Sequence, residues 1–438
     1  MAGLGDAPLA QNLAVPAVCL LIAFLGYFPQ LLFHRSTLEP GPPSRAASAL
    51  FNALLLCLWY SYFRSVTVDP GRYAFPDGVT ELGARWCRKC VAPKPPRAHH
   101  CRHCRRCIPK MDHHCPWTRN CVSMTTFPHF LRFLVYANLS LWLLAALLWR
   151  RFHALWETRH MPAYLGPSLE ALVGLALTSL VCLFTTLALA IMLATTLKSW
   201  VFNCTMIEGW ELDRHEAVLD RAGRDWWDMT RPDGTAIRFE RVEFPYDIGF
   251  FANMAQAMGT RNALLWLSPL AGSPSVAADG AGAGWAWEEN GFNRREGMWP
   301  PPDPEKMRRA ARPRPALRPH DEAELRDADL DPEQRKRAFR DRQEKDAARR
   351  RTLLAELEEL DGYDLPRDES HGSADDDGGG WDSRASPPEW VDWDGDRLRD
   401  YGVDEDAEGG ADADVARDDD VPLGELLRRR RALHRDDA

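Results

Sequence analysis

Charged side chains are missing from four long stretches of this 438-residue chain. A membrane-spanning helix needs about 20 apolar residues, and a charge inside the bilayer is costly. The absence of charge therefore argues against the alternative interpretation, a water-soluble protein with a buried helical hairpin. The sequence predicts four transmembrane helices, over about residues 13–33, 46–63, 131–149 and 171–197, of which the third is uncharged from residue 133 onward.

A basic segment ahead of the first apolar stretch is also missing, whereas cleavable secretory signals begin with one. We therefore expect the first stretch to remain as a transmembrane helix. The cysteine count is 11, an odd number, and histidines are interleaved with these cysteines. These features argue against a disulfide-bonded extracellular domain and indicate thiols that stay reduced in the cytosol.

Apolar residues become scarce after about residue 270. Residues 271–438 contain 44 Asp and Glu against 28 Lys and Arg, a net charge of −16, whereas residues 1–270 carry a net +7. So little apolar surface cannot offset the conformational entropy of the chain. We predict an acidic, mostly disordered tail, with one charged helix over 331–360 and a basic cluster at 428–431.

The densest chemistry lies in residues 85–121, which hold seven of the cysteines and five histidines. Pairs with Cys-x2-Cys spacing suit zinc, because a tight turn lets two thiolates face one tetrahedral ion. Two closed sites need eight ligands, so that these twelve side chains leave a surplus. Asp112, His113 and Cys115 within four residues fit an orienting carboxylate, a base and a nucleophile. The spacing alone leaves open which ligands share an ion.

This stretch resembles the cysteine-rich domain of the DHHC family of protein S-acyltransferases (palmitoyltransferases). The resemblance includes Asp112-His113-His114-Cys115-Pro116-Trp117 and Asn120-Cys121. It implies that Cys115 is the acylated nucleophile and that His113 and Asp112 activate it. It also implies two structural zinc ions, one on Cys87, Cys90, His100 and Cys107 and the other on Cys101, Cys104, His114 and Cys121.

Three further motifs agree with this family. Asp69-Pro70-Gly71 directly follows the second apolar stretch, as it does in DHHC enzymes. Thr205-Met206-Ile207-Glu208 occupies the place of a Thr-Thr-x-Glu element, with Met in place of the second Thr. We expect this element to brace the tail against the zinc domain through hydrogen bonds, with Glu208 as its main contributor. Asn253, Gln256 and Gly259 match a short element farther on, for which a plain amphipathic segment is the alternative.

The basic residues indicate the topology. Residues 64–129 contain 12 Lys and Arg, against two in 34–45 and three in 150–168. The positive-inside rule therefore predicts that the cysteine-rich loop and both termini are cytosolic. The expected fold class is an all-α polytopic membrane protein with a zinc-binding domain between helices 2 and 3. The expected divisions are 1–66, 67–129, 130–198, 199–270 and 271–438.

The resemblance implies an enzyme that moves a long-chain acyl group from acyl-CoA (palmitoyl-CoA) to membrane proteins with cytosolic juxtamembrane cysteines. The tail and residues 210–216 resemble the fungal endoplasmic-reticulum branch of the family. One alternative is a membrane-anchored zinc module that recruits partners, and another is an inactive pseudoenzyme. We expect no nucleic-acid partner, because four flanking helices would hold the zinc loop against the bilayer.

Overall fold

The computed structural model describes residues 8–35, 38–75, 85–87, 89–90, 92–220, 240–303, 397–404 and 408–410. All of these belong to one compact unit. The predictions for 331–360 and 428–431, and most of the predicted disordered tail, lie outside the described residues.

Four long helices form the membrane part: α1 (Pro8–Arg35), α2 (Arg45–Thr67), α3 (Phe127–Glu157) and α4 (Leu169–Phe202). Each is long and apolar enough to cross a membrane. A helix satisfies its backbone polar groups internally, as a lipid environment demands. Ser44 and Ser168 cap the amino ends of α2 and α4 through their side-chain oxygens. The predicted four-helix architecture is thereby confirmed.

The four helices share one apolar core. It includes Leu58 on α2, Leu134 on α3 and Leu175 on α4, all buried. Gly174 brings α4 close to α1, because a Cβ there would lie 3.1 Å from a methyl carbon of Leu32. Helices α1 and α4 are therefore closely packed at this point of the bundle.

The cysteine-rich region consists of three β-hairpins rather than helices. They are β1 (Arg85–Cys87) with β2 (Ala92–Pro93), β3 (His99–Cys101) with β4 (Arg106–Ile108), and β5 (His113–Cys115) with β6 (Asn120–Val122). The expectation of an all-α fold is wrong for this region. Each cluster takes its ligands from two hairpins, and neighbouring ligands such as His100 and Cys101 belong to different clusters because successive side chains of a strand point to opposite faces.

The Asp69-Pro70-Gly71 turn joins α2 to the hairpins. Gly71 has a φ of +96°, and a Cβ there would lie 2.6 Å from the Pro109 side chain. Asp69 accepts hydrogen bonds from the Gly71 amide and the Arg106 guanidinium. The turn therefore requires glycine both for its backbone angle and for contact with the hairpin β3–β4.

Two more helices follow the bundle, α5 (Met206–Asp220) and α6 (Phe250–Met258). Asn253 on α6 donates to the Val201 carbonyl at 2.8 Å, and Asn203 donates to the Gln256 side chain at 2.8 Å. Gly259 ends α6 at a φ of +71°. These bonds fix α6 against the end of α4 and favour a specific packing role over a plain amphipathic segment.

The apolar residues Leu264, Trp266 and Leu267, which follow α6, differ in their exposure. Leu264 and Leu267 are exposed, but Trp266 is buried against Trp200 and Phe251. Its indole N–H donates to the Thr260 carbonyl at 2.9 Å. Trp266 therefore belongs to the core, and only its neighbours are available to the interface.

Parts of the acidic tail are folded onto this unit. Residues 271–303 run along it, with Trp285 and Trp299 buried. Leu398, Tyr401 and Val403 are also buried, and β7 (Glu408–Gly410) pairs antiparallel with β1. The prediction of a mostly disordered tail therefore does not hold for these segments. Their few apolar side chains pack against the rest of the protein and are buried there.

Candidate active site and metal clusters

The hairpins bring the eight predicted metal ligands into two groups. The first metal cluster comprises Cys87, Cys90, His100 and Cys107, and the second comprises Cys101, Cys104, His114 and Cys121. Within each cluster the four ligand atoms lie within 4.8 Å of one another. These are the same two sets that the family resemblance implies.

The spacing of the ligand atoms fits a tetrahedral ion. Nδ1 of His114 lies 3.6, 3.6 and 3.5 Å from the sulfurs of Cys101, Cys104 and Cys121. Nδ1 of His100 lies 3.4 Å from Cys87 Sγ and 3.2 Å from Cys90 Sγ. Bonds of about 2.3 Å to sulfur and 2.0 Å to nitrogen at tetrahedral angles separate ligands by about 3.5 Å. Both donor sets therefore suit zinc.

Each cluster offers four protein ligands, which is the full tetrahedral number. A catalytic zinc keeps one position open for water or substrate, whereas a structural zinc is closed. The chemistry of both donor sets is therefore that of structural sites. The reactive groups must be found outside the two clusters.

Asp112, His113 and Cys115 form a line of contacts on and beside β5. The Asp112 carboxylate lies 2.7 Å from Nδ1 of His113. The His113 ring in turn interacts with the Cys115 thiol closely enough to shift the pKa of both groups. The carboxylate fixes the imidazole, and the imidazole faces the sulfur, which is the arrangement that activates a thiol.

The electrostatics of this line favour a charged pair. Burial opposes protonation of His113, but hydrogen bonds to Asp112 and Cys115 raise its pKa to about 10. Burial also opposes ionisation of Cys115, yet the hydrogen bond and the charge of His113 lower the pKa of this thiol below its ordinary value. A thiolate beside an imidazolium is the reactive form of cysteine.

Cys115 lies where the hairpins meet the membrane helices. It is buried and belongs to the same apolar core as the four helices. Tyr62 of α2 donates to the Trp117 carbonyl at 2.9 Å, and Asn120 donates to the Ser65 and Val68 carbonyls at the end of α2. The hairpin β5–β6 is thus tied to the end of α2, with its sulfur towards apolar side chains.

The Thr-x-x-Glu element lies beside this site. Thr205 and Glu208 exchange hydrogen bonds, Glu208 N to Thr205 Oγ1 and Thr205 N to Glu208 Oε2, as in a capping box at the start of α5. The Met206 amide donates to Asp112 at 2.8 Å. This contact uses the main chain, so that the missing second threonine does not remove it.

Sequence reasoning missed Arg97. Arg97 is buried and forms a two-pronged ion pair with Glu208, at 2.6 and 2.7 Å, and its guanidinium lies over the Tyr246 ring. It also donates to the Asn203 main-chain carbonyl. Nothing in the local pattern of a Lys-Pro-Pro-Arg stretch signals a buried arginine. The family's Glu, already singled out, was the one available clue to a cationic partner.

Residues 80–213 match the family model described as DHHC palmitoyltransferase. The chain is also 61% identical to the palmitoyltransferase PFA4 of Gibberella zeae, over 100% of this chain and 99% of that protein.

The chain belongs to the DHHC palmitoyltransferase family.

It is 46% identical to the palmitoyltransferase pfa4 of Neurospora crassa, over 96% of both chains. It is 30% identical to the palmitoyltransferase PFA4 of Saccharomyces cerevisiae, over 65% of this chain and 77% of that protein. These matches support the fungal branch of the DHHC palmitoyltransferases. The protein is accordingly a protein S-palmitoyltransferase of the membrane.

Proposed function

We propose that Cys115 is the nucleophile of this palmitoyltransferase and carries the acyl group as a thioester, with His113 as its base and Asp112 as the orienting carboxylate. The observation that carries the proposal is the 2.7 Å contact of Asp112 with His113, together with the opposite pKa shifts that His113 and Cys115 cause in each other. The line ends at the apolar core of the helix bundle, where an acyl chain is soluble.

The proposed reaction has two steps. The Cys115 thiolate attacks the thioester carbon of a long-chain acyl-CoA, the bond from that carbon to the CoA sulfur breaks, and CoA leaves as a thiol after taking a proton from His113. The sulfur of a substrate cysteine then attacks the acyl carbon, its thiol proton passes to His113, and the bond from that carbon to Cys115 Sγ breaks, so that the Cys115 thiolate leaves and is regenerated. Thioester exchange is nearly balanced in energy, so that thiolate formation and positioning supply the catalysis.

Zinc, when bound, would cross-link the hairpins through the first and second metal clusters. His114 and Cys121 hold the two strands of the hairpin that carries Cys115. The ion in the second metal cluster would therefore set the position of the nucleophile without touching the substrate. The closed ligand sets leave no position for a metal-bound water.

The remaining assignments rest on the sequence and the family. The donor is a long-chain acyl-CoA such as palmitoyl-CoA. The acceptors are membrane-associated proteins with cytosolic cysteines near the bilayer. The protein lies in the endoplasmic reticulum membrane with both termini and the hairpins in the cytosol. Its divisions are the two transmembrane hairpins at 1–66 and 130–198, the zinc domain at 67–129, the juxtamembrane region at 199–270 and the tail at 271–438.

Autoacylation with labelled palmitoyl-CoA tests the proposal. The purified full-length chain is compared with Cys115→Ser and with Cys204→Ser as the matched control. Cys204 is close to Asp112, but burial raises the pKa of its thiol, and we assign it no role in acyl transfer. We expect hydroxylamine-labile label on the native chain and on Cys204→Ser, and none on Cys115→Ser.

Equal label on the native chain and Cys115→Ser would assign the acylated residue elsewhere and end the proposal. No label on a folded, zinc-loaded native chain would favour the pseudoenzyme or the recruitment module instead.

A further inference from the structure

A segment from the far end of the tail crosses the hairpins of the cysteine-rich region. We call residues 397–404 and 408–410 the tail clasp. It lies 276 positions after Cys121 in the chain, counted from residue 397, yet it contacts strands from all three hairpins. The family mechanism proposed above makes no use of it.

The clasp follows the strands that carry metal ligands, main chain to main chain. The His114 amide donates to the Tyr401 carbonyl at 2.9 Å, and the Asp404 amide donates to the His100 carbonyl at 2.8 Å. Between them Val403 forms an antiparallel bridge with Cys101. Farther on, Glu408 pairs with Cys87. These four contacts fall on the backbone of predicted ligands from both metal clusters, and further main-chain contacts reach Arg85, Trp86 and Arg102.

Apolar side chains secure the clasp. Leu398, Tyr401 and Val403 are 2%, 9% and 1% exposed and pack in one cluster with Cys101 and Cys121. An ion pair of 2.9 Å between Asp404 and Lys89 lies at the rim. The burial of these side chains stabilises the docked segment, whereas the partly exposed ion pair adds little.

Gly402 is the closest point of approach. It has a φ of +85°, and a Cβ placed there would lie 2.6 Å from the Cβ of His114. No other residue fits without moving the strand β5. His114 separates His113 from Cys115, so that Gly402 rests against the middle of the catalytic strand.

We propose that the tail clasp locks the second metal cluster and holds strand β5, which makes Gly402 and Tyr401 positioning residues for the transferase. The apolar side chains of the clasp and Cys115 belong to different apolar clusters, Cys115 to that of the membrane helices, so that the clasp would support the site without blocking it. The inference rests on the proposed two-zinc site.

The test measures zinc release from the full-length protein in lipid nanodiscs to a chromogenic chelator, for the native chain, Gly402→Ala, Tyr401→Ala and the control Gly291→Ala. Gly291 has a similar φ of +75°, but nothing lies within 4 Å of a Cβ there. The control therefore reproduces the backbone strain without the contact. We expect one of the two zinc ions to leave both clasp variants on the order of tenfold faster, and Gly291→Ala to behave like the native chain.

Hydrogen exchange supplies a second readout that does not depend on activity. The amide of His114 is bonded to the clasp, so its exchange should quicken in Tyr401→Ala, which introduces no clash. Unchanged zinc release and unchanged exchange in both clasp variants, with two zinc ions bound, would overturn the clasp inference and leave the proposed function standing. Fewer than two zinc ions in the native chain would overturn the two-zinc site itself.

Discussion

The two metal clusters have the same ligand set, three cysteines and one histidine, but very different surroundings. The first metal cluster has a small apolar neighbourhood, in which Cys87 and Cys107 pack with Tyr73 and Cys90. The second is set among the side chains of hairpin β3–β4, helix α5 and the tail clasp.

The difference in surroundings indicates that the two metal clusters have different structural roles. Among the described residues the first metal cluster has the smaller apolar cluster around it, so that an ion there would hold its ligands mainly together with the main-chain pairing of β1 with β2 and β7. The second metal cluster has two ligands on the hairpin that carries the proposed nucleophile, Cys115, and it would be held both by the ion and by the packing around it. We therefore expect the second metal cluster to position the hairpin that carries Cys115. The first metal cluster would act as a more independent cross-link.

The largest expected effect is the loss of autoacylation when one cysteine ligand of each metal cluster is replaced, and its size should differ between the two clusters. Cys121→Ser should lower the autoacylation rate by about 100-fold and Cys87→Ser by about 10-fold, the range seen when metal sites are disturbed. Cys121 lies opposite His114 in the hairpin that carries Cys115, whereas Cys87 lies on β1. Initial rates with labelled palmitoyl-CoA measure the effect, with zinc content determined for each variant. Equal losses would contradict the proposed difference in roles.

The second largest effect is expected from breaking the buried ion pair between Arg97 and Glu208. Arg97 and Glu208 have side chains only 0% and 1% exposed, and they tie the chain before β3 to α5. Glu208→Gln leaves a buried arginine without its counter-charge and should cost about 3–5 kcal/mol of stability. Thermal unfolding in nanodiscs measures it. The control is Glu216→Gln on the exposed face of α5, which should stay within about 0.5 kcal/mol of the native chain.

Trp210 tests the apolar support of the second metal cluster. It is 6% exposed and packs with Cys101 and Cys121. Trp210→Ala should cost about 3 kcal/mol through lost burial and the cavity that remains. We expect its zinc release to quicken at one of the two sites only. Faster release from both sites would show that the clusters are coupled, and the comparison would fail.

The smallest expected effect concerns the first metal cluster. The Tyr73 hydroxyl donates to the Gly284 carbonyl at 2.9 Å, beside Cys87 and Cys107. Tyr73→Phe removes this bond, keeps the ring and should cost about 1 kcal/mol. The melting temperature should fall slightly and the autoacylation rate should stay within about twofold, as expected where net hydrogen-bond energies are small. A large loss of activity would place the first cluster closer to the chemistry than we argue.

Much of the architecture was predictable because its signals are local. A long apolar stretch indicates a membrane helix without reference to any other part of the chain. Helices α1 to α4 contain the four predicted stretches and extend beyond them. The spacing of cysteines and histidines likewise marks metal ligands. The grouping of those ligands needed the family resemblance, because several pairings satisfy the spacing equally well.

The features that sequence reasoning missed depend on distant contacts. Arg97 meets Glu208 across 111 positions, and its surroundings read as an ordinary basic loop. Gly402 lies in a polar, glycine-containing tail, where glycine usually indicates a linker, and its φ and its contact with His114 become visible only in three dimensions. Trp266 turns inward while both neighbours face outward, which no average over the segment predicts.

The hydrogen bond between Asp112 and the Met206 amide determines which substitutions position 206 tolerates. Every amino acid except proline carries a main-chain N–H, so that mutation at this position leaves the bond intact as long as α5 starts in the same place. The second threonine of the family element is then free to drift, while Thr205 and Glu208 fix the helix start with their side chains. A motif search that demands both threonines would pass over fungal members such as this one, whereas a search for Thr-x-x-Glu would find them.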